Sequence, residues 1–219
     1  LVLPEILDMR SCLAAILSLT LAHTALADDG FRPLFNGKDL SGWQDAKGGG
    51  PGTGWKVEEG AMNLTGGGGY IWTKERFGDF VLDLEFKTTG NSGIFIRTDK
   101  PTNCVQTGIE IQVERPTSKP NKHSVGALYD LLAPSKDPTK ANDWNHVTIT
   151  AKGSKIAVVI NGEGVIDADL DQWTQPRKNP DGSGNKFGTA LKDFKREGHI
   201  GFQDHGAKVS YRNVKIKAL

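Results

Sequence analysis

The residues of this chain best suited to acid–base chemistry lie on three short alternating segments. In Gly108-Ile109-Glu110-Ile111-Gln112-Val113-Glu114, the apolar Ile109, Ile111 and Val113 share one face. Glu110, Gln112 and Glu114 share the other, at steps of about 6.7 Å between alternate strand residues. Upstream, Phe95 and Arg97 oppose Ile94 and Ile96, and downstream His199, Gln203 and His205 oppose Ile200 and Phe202. If these segments are strands of one sheet, its outer face gathers two carboxylates, two amides, a guanidinium and imidazoles. Gly201 would leave room there for a ligand to approach closely. Paired donors and acceptors beside a cation and an aromatic ring suit a carbohydrate. Trp72 and Tyr129 are either core aromatics or platforms on which a sugar ring stacks.

Each of these residues also has a plainer reading. Alternating polar side chains are the ordinary solvated face of an antiparallel strand. Arg97 paired with Glu110 or Glu114 would be a cross-strand surface ion pair. His205 near a strand end could cap a turn, and His146, alternating with Val147, reads as an outward surface residue.

Several chemistries lack their signatures. The chain has no H-E-x-x-H, no Cys/His cluster, no EF-hand loop and no serine-hydrolase elbow. The glycine runs at Gly48–Gly54 and Gly66–Gly69 read as turns, because no helix follows to cradle a phosphate. A His–carboxylate–Gln set drawn from separate strands could still hold a divalent ion. A conventional glycosidase pairs two carboxylates about 5–5.5 or 6.5–9.5 Å apart. Glu110 and Glu114 stand four residues apart, about 13 Å along one strand, with Gln112, which cannot exchange a proton, between them.

The elements that must position these residues are β-strands. Alternation marks Phe80–Phe86, Gly93–Arg97, Gly108–Glu114, Trp144–Thr150, Lys155–Ile160, Gly198–Gln203 and Val209–Ile216. Lys152-Gly153-Ser154 and Asn161-Gly162 supply turns. Short antiparallel runs without intervening helices predict an all-β sandwich or barrel. Arg115–His123 and Gln172–Lys195, rich in Pro, Gly, Asn and Lys, read as long loops of the kind that carry function.

The 219-residue chain divides at residue 27. Met9-Arg10, an apolar run from Cys12 to Ala22 and Ala25-Leu26-Ala27 read as a secretory signal with a short upstream extension, 1–27. The expected location is periplasmic or secreted, and 28–219 forms one domain. The apolar run is too short for a membrane span, which needs roughly 20 residues, so no membrane insertion is expected after cleavage. Arg10 belongs to the 27 basic residues, Glu5 and Asp8 to the 26 acidic ones, so 28–219 keeps 26 and 24. That balance gives no reason to expect nucleic acid or an anionic membrane as partner. Cys104 is the only cysteine after residue 27, which rules out a disulfide within the domain.

The blocks FRPLFNGKDLSGW, GDFVLDLEFKT, NSGIFIRT, GIEIQV, DWNHVTITAKGSKIAVVINGEGV and GHIGFQDHGAKVSYRNVKIK, in order from Phe31 to Lys217, resemble the 3-keto-disaccharide hydrolase family. The resemblance implies a concanavalin-like jelly-roll sandwich of two antiparallel sheets. It also implies action on glycosides already oxidised at C3. A ketone at C3 acidifies the C2 proton; a base removes it, the C1 group leaves, and water adds to the unsaturated product. Such a site needs a base, an electrophile at the enolate oxygen and an acid. In some relatives a divalent ion serves as electrophile, so a metal is a candidate cofactor with unassigned ligands. Carried over by motif, His205 or Glu110 is the base and the other the acid or a ligand. Arg97 stabilises the enolate or holds a sugar oxygen, and Gln112 and Gln203 bind hydroxyls. Glu114 stands where relatives often carry Asp, which puts a contact there in doubt. A carbohydrate-binding module without catalysis fits the same polar face.

Overall fold

The structure, a computed structural model, describes residues 29–219; the export signal read at 1–27 lies outside them. The strands are β1 (Arg32–Pro33), β2 (Trp43–Gln44), β3 (Trp55–Glu58), β4 (Ala61–Leu64), β5 (Ile71–Thr73), β6 (Phe80–Thr88) and β7 (Ser92–Thr98). There follow β8 (Ile109–Val113), β9 (Asn145–Lys152), β10 (Lys155–Ile160), β11 (Glu163–Asp169), β12 (His199–Phe202) and β13 (Val209–Ala218). One sheet runs β11-β10-β9-β6-β13-β4-β3, with β1 also on β13; the smaller runs β2-β5-β12-β7-β8. Every pairing is antiparallel. Among the described residues no helix is long and apolar enough to cross a membrane.

Period-two alternation builds this sandwich directly. β6 alternates buried and half-buried along its whole length, sending Phe80, Leu82, Leu84 and Phe86 inward. They meet Ile94, Ile96, Ile109, Ile111, Ile200 and Phe202 of the smaller sheet. Through the middle runs an aromatic stack: Phe202 lies on Tyr211 with centroids 3.9 Å apart and planes 8° apart, and on Trp43 at 5.2 Å. Such contacts add about 0.5–1.5 kcal/mol each beyond area burial. Tyr211 also carries a hydroxyl into this dry interior, and burial pushes its pKa up. The hydroxyl donates to Ser92 Oγ at 2.8 Å, because Ser92 in turn donates to the Gln203 carbonyl at 2.7 Å. This relay fastens the larger sheet to β7 and to the end of β12.

The central strands of the smaller sheet are buried on both faces: every residue of β7 and β8 is buried. On the outer face Cys104 and Tyr70 pack against Trp72 and Phe95, and the backbone of the segment after β8 closes the β8 edge. Gln112 N–H donates to the Ala127 carbonyl at 3.0 Å and Tyr129 N–H to the Glu110 carbonyl at 2.9 Å. An edge closed in this way offers no template for another strand. The outer face of β8 is thus not the solvated surface that alternation ordinarily signals.

A β-bulge interrupts β7. Thr98 pairs with His199 and Phe95 with Gly201, so Ile96 and Arg97 together oppose Ile200. Arg97 takes up the extra residue with φ 49°. Such an insertion re-aims the side chains beyond it.

Candidate functional site

Register sets out the floor of the site as two rows on the outer face of the smaller sheet. One row crosses Trp72, Gly201, Phe95 and Glu110; the next crosses Gln203, Gly93 and Gln112. Each row holds a glycine over which a neighbour lies. A Cβ on Gly201 would stand 2.3 Å from the Trp72 ring, and one on Gly93 2.5 Å from Glu110 Oε1. The room above Gly201, expected for a ligand, is therefore filled by Trp72. The vacancy at Gly93 lets Glu110 lean across β7 and meet Gln203 from the far strand, Nε2 to Oε1 at 3.0 Å. Gly93→Ala should push the carboxylate aside and lower turnover about 100-fold, the cost of a displacement near 1 Å, with the fold retained. Steady-state kinetics beside a thermal melt checks this; unchanged kinetics would detach Glu110 from the chemistry.

Above the floor is a cleft of about 270 Å³, just under the roughly 300–1,000 Å³ of ligand sites. Glu110, Gln203, His205 and Tyr129 line it, as do Tyr70, Asn91, Val105 and Lys186. Glu110 is 5 % exposed. Burial raises its pKa, and Lys186, Gln203 and His205 offset this only in part. Gln203 Nε2 also donates to the Tyr70 hydroxyl at 3.0 Å, so the Tyr70 proton is left to point elsewhere. Burial pushes Tyr70 up to about 12, which keeps that proton in place. With both amide hydrogens used, Gln203 turns Oε1 away, and this atom and Asn91 Oδ1 are buried without a partner. Unpaired buried acceptors of this kind ask for donors from a ligand. His205 is exposed at the rim, in the turn after β12. Its neighbour Asp204 accepts from the backbone N–H of Gly68 and Gly69 at 2.8 and 3.0 Å, which holds the lead-in to Tyr70.

Two loops form the wall. Asp130 accepts from Lys186 N–H at 2.6 Å and faces Lys122 Nζ at 3.1 Å and His123 Nε2 at 3.3 Å. Burial alone would raise the Asp130 pKa, but these hydrogen bonds and charges outweigh it and hold it low. Asn179 joins the loops, donating to the Asp130 carbonyl at 3.2 Å and accepting from Trp173 Nε1 at 2.8 Å.

Other expected members lie elsewhere. Arg97 is 2 % exposed and reaches across one end of the sandwich. It donates to the carbonyls of Gly78 and Gly153 at 2.8 and 2.6 Å and to Asp79 at 2.7 Å. The bulge turned it out of the alternating face, so it takes no part in the cleft. Trp72 is wholly buried against Phe95 and Cys104, beneath Tyr70, and offers no stacking face. Gln112 lies in the second floor row, buried, without lining the cleft. Glu114 is likewise outside the lining; it is half-buried and accepts from Arg115 N–H at 2.8 Å. Burial pushes the Cys104 thiol up to about 11, which makes it inert.

The sequence did not single out Lys186, Tyr70 or Asn91. Lys186 lay in a loop rich in lysine, Tyr70 behind a glycine run, and Asn91 in the short connection between β6 and β7. A larger groove of about 450 Å³ crosses the outer face of the other sheet. There His146 and Lys215 already face Asp83, and Arg212 faces Glu85. Its charges are spent on one another, whereas the smaller cleft holds unsatisfied acceptors.

The donor set also bears on a metal. A divalent ion needs several oxygen, nitrogen or thiolate ligands converging on one point. Among the described residues no three His, Cys, Asp or Glu side chains do so. In the cleft, Glu110 Oε1 is taken by Gln203 and Oε2 faces the Lys186 ammonium at 3.3 Å, a charge that repels a cation. With Glu110 so engaged, no set of carboxylates, imidazoles and thiols among the described residues is arranged to hold a divalent ion.

Two antiparallel sheets with a polar cleft on the outer face of the smaller one define a concanavalin-like jelly roll. The chain belongs to the family of the 3-keto-alpha-glucoside-1,2-lyase-like domain, which it matches over residues 30–217. It is 26 % identical to a 3-keto-disaccharide hydrolase of Bacteroides thetaiotaomicron, over 87 % of this chain and 79 % of that protein. A solved structure from Parabacteroides distasonis, provisionally described as a glycosyl hydrolase, superposes with a TM-score of 0.77 at 30 % identity. That match covers 86 % of this chain and 99 % of the other. The carbohydrate-binding module CBM66 of Bacillus subtilis shares the fold, with a TM-score of 0.51 at 18 % identity, over 82 % of this chain and 98 % of the module.

Proposed function

We propose that this protein is an exported glycoside-acting enzyme that cleaves 3-keto-glycosides by elimination and hydration. The observation that carries this reading is the single carboxylate of the cleft, Glu110, buried and raised in pKa. Direct glycoside hydrolysis takes two carboxylates, and no other lines the cleft. Proton abstraction next to a ketone takes only one, and a base works best with a pKa brought toward the working pH. Family membership and the hydrolase relative support the same choice of substrate.

In this mechanism Glu110 removes the proton on C2, and the C–H electrons move into the enolate of the C3 ketone. As the ketone reforms, the C1–O bond breaks and its electrons leave with the departing group. His205, open to solvent at the rim, returns a proton to that group. Water then adds at C1 and a proton at C2, which gives the free 3-keto sugar. Gln203 holds Glu110 in place. The Tyr70 proton and the unpartnered oxygens of Gln203 and Asn91 take the sugar hydroxyls.

The test is turnover of a 3-keto-disaccharide in heavy water. Elimination and hydration put deuterium on C2 of the released keto sugar, and the unoxidised disaccharide is left intact. Cleavage without deuterium at C2 would mean direct displacement. Binding without product would leave a carbohydrate-binding module and end the enzymatic reading.

A further inference from the structure

The enolate formed beside Glu110 needs a positive partner at the ketone oxygen, and the cleft does not fit a divalent ion. It holds one ammonium, that of Lys186, which is built in rather than loosely placed. Its backbone N–H donates to Asp130 and its carbonyl accepts from Gln106 Nε2 at 3.0 Å. Its side chain is 20 % exposed, with Nζ 3.3 Å from Glu110 Oε2 and 4.4 Å from the centre of the Tyr129 ring. An ammonium pressed against an aromatic face and a carboxylate keeps its direction. The geometry also matches the chemistry. In a 3-keto sugar the acidic carbon and the ketone oxygen are two bonds apart, so base and electrophile must sit side by side.

We propose that Lys186 is the electrophile of this site and that the reaction proceeds without a divalent metal. The inference rests on the elimination reading above. As Glu110 takes the C2 proton, the electron pair released onto the ketone oxygen is met by an N–H of Lys186. The ammonium keeps its protons through the step and gives up the contact when the ketone reforms. Glu110 thus loses its cationic neighbour to the enolate at the moment it becomes neutral, so no charge in the cleft is left uncompensated.

The experiment uses the purified protein, chelated with EDTA and desalted, acting on a 3-keto-disaccharide. The wild type should keep its turnover within twofold. Lys186→Met should lose about 10²–10³ in kcat, the usual cost of removing one oxyanion donor. Added magnesium, manganese or zinc should not restore it, and Lys186→Arg should recover part. The acid limb of the kcat/KM profile should move to higher pH in Lys186→Met, because Glu110 is then faced by Gln203, His205, Tyr70, Tyr129 and Cys104 with its nearest cation gone. A merely structural lysine would not move that limb. Wild-type turnover that vanishes on chelation and returns with metal overturns the proposal and leaves the elimination reading standing. So does Lys186→Met activity within threefold of wild type. A wild type inactive with and without metal removes the elimination reading and this inference with it.

Discussion

Glu110→Gln is expected to lower turnover of a 3-keto-glycoside by roughly 10³-fold while raising the melting temperature at neutral pH. The first effect is the loss of a general base, typically 10²- to 10⁴-fold. Glutamine keeps the shape and can still accept from Gln203, so the floor stays in place. The second follows from the direction of the Glu110 shift. Its carboxyl has a higher pKa in the folded chain than when unfolded, where the value is about 4.3. Below the unfolded value it is neutral in both states and costs nothing. As pH rises through the folded value the stability it contributed is lost, and above that value the penalty is constant. A neutral isostere removes the penalty at pH 7. Melts of both proteins at neutral pH and near pH 4 measure this, and the gap should close on acidification. A variant that melts below wild type at pH 7, or turns over within tenfold of it, would contradict the role given to Glu110.

Arg97→Ala is expected to do the reverse. It leaves two carbonyls, of the half-buried Gly78 and the exposed Gly153, without their donor and Asp79 without its cation. Losses of this type run to roughly 3 kcal/mol where one partner is partly solvated, as Asp79 is. For a domain of this size that is about 6–12 °C in Tm. Turnover per folded molecule should stay within twofold, since Arg97 lies outside the cleft. Asp79→Asn, which keeps the acceptor and removes the charge, should lose less stability and again no activity. A tenfold fall in kcat/KM in either variant at a temperature where it is folded would return Arg97 to the site.

The contrast between these residues shows what alternation can and cannot carry. The long strands β6, β9, β10 and β13 and their inward faces are legible because one face is buried over many residues. The same rule brought Glu110 and Gln203 together from separate segments. It failed at Arg97 because one inserted residue reverses the parity of everything after it, and a bulge leaves no mark in composition. The pieces β1 to β5 went unread because strands of two to four residues are too short for a period to register. β11, the edge strand that begins the larger sheet's path, places Val165 and Ile166 side by side across a register shift, which breaks its alternation. The glycine runs read as turns pack on each other, with a Cβ on Gly52 falling 2.0 Å from the Gly68 carbonyl oxygen. Lys186 was out of reach for another reason. Its placement depends on Asp130 and Gln106, each more than fifty residues away, and no local pattern encodes that.

The hydroxyl relay from Tyr211 through Ser92 to the carbonyl of Gln203 gives the molecule a division of labour. Glu110 and the amide that holds it sit on the same frame that joins the two sheets, so they cannot drift without loosening the whole sandwich. Asp130 and Lys186 sit on connecting segments that leave and re-enter this frame. Changes on those segments away from Asp130 and Lys186 can reshape the cleft wall while the floor of Glu110 and Gln203 stays in place.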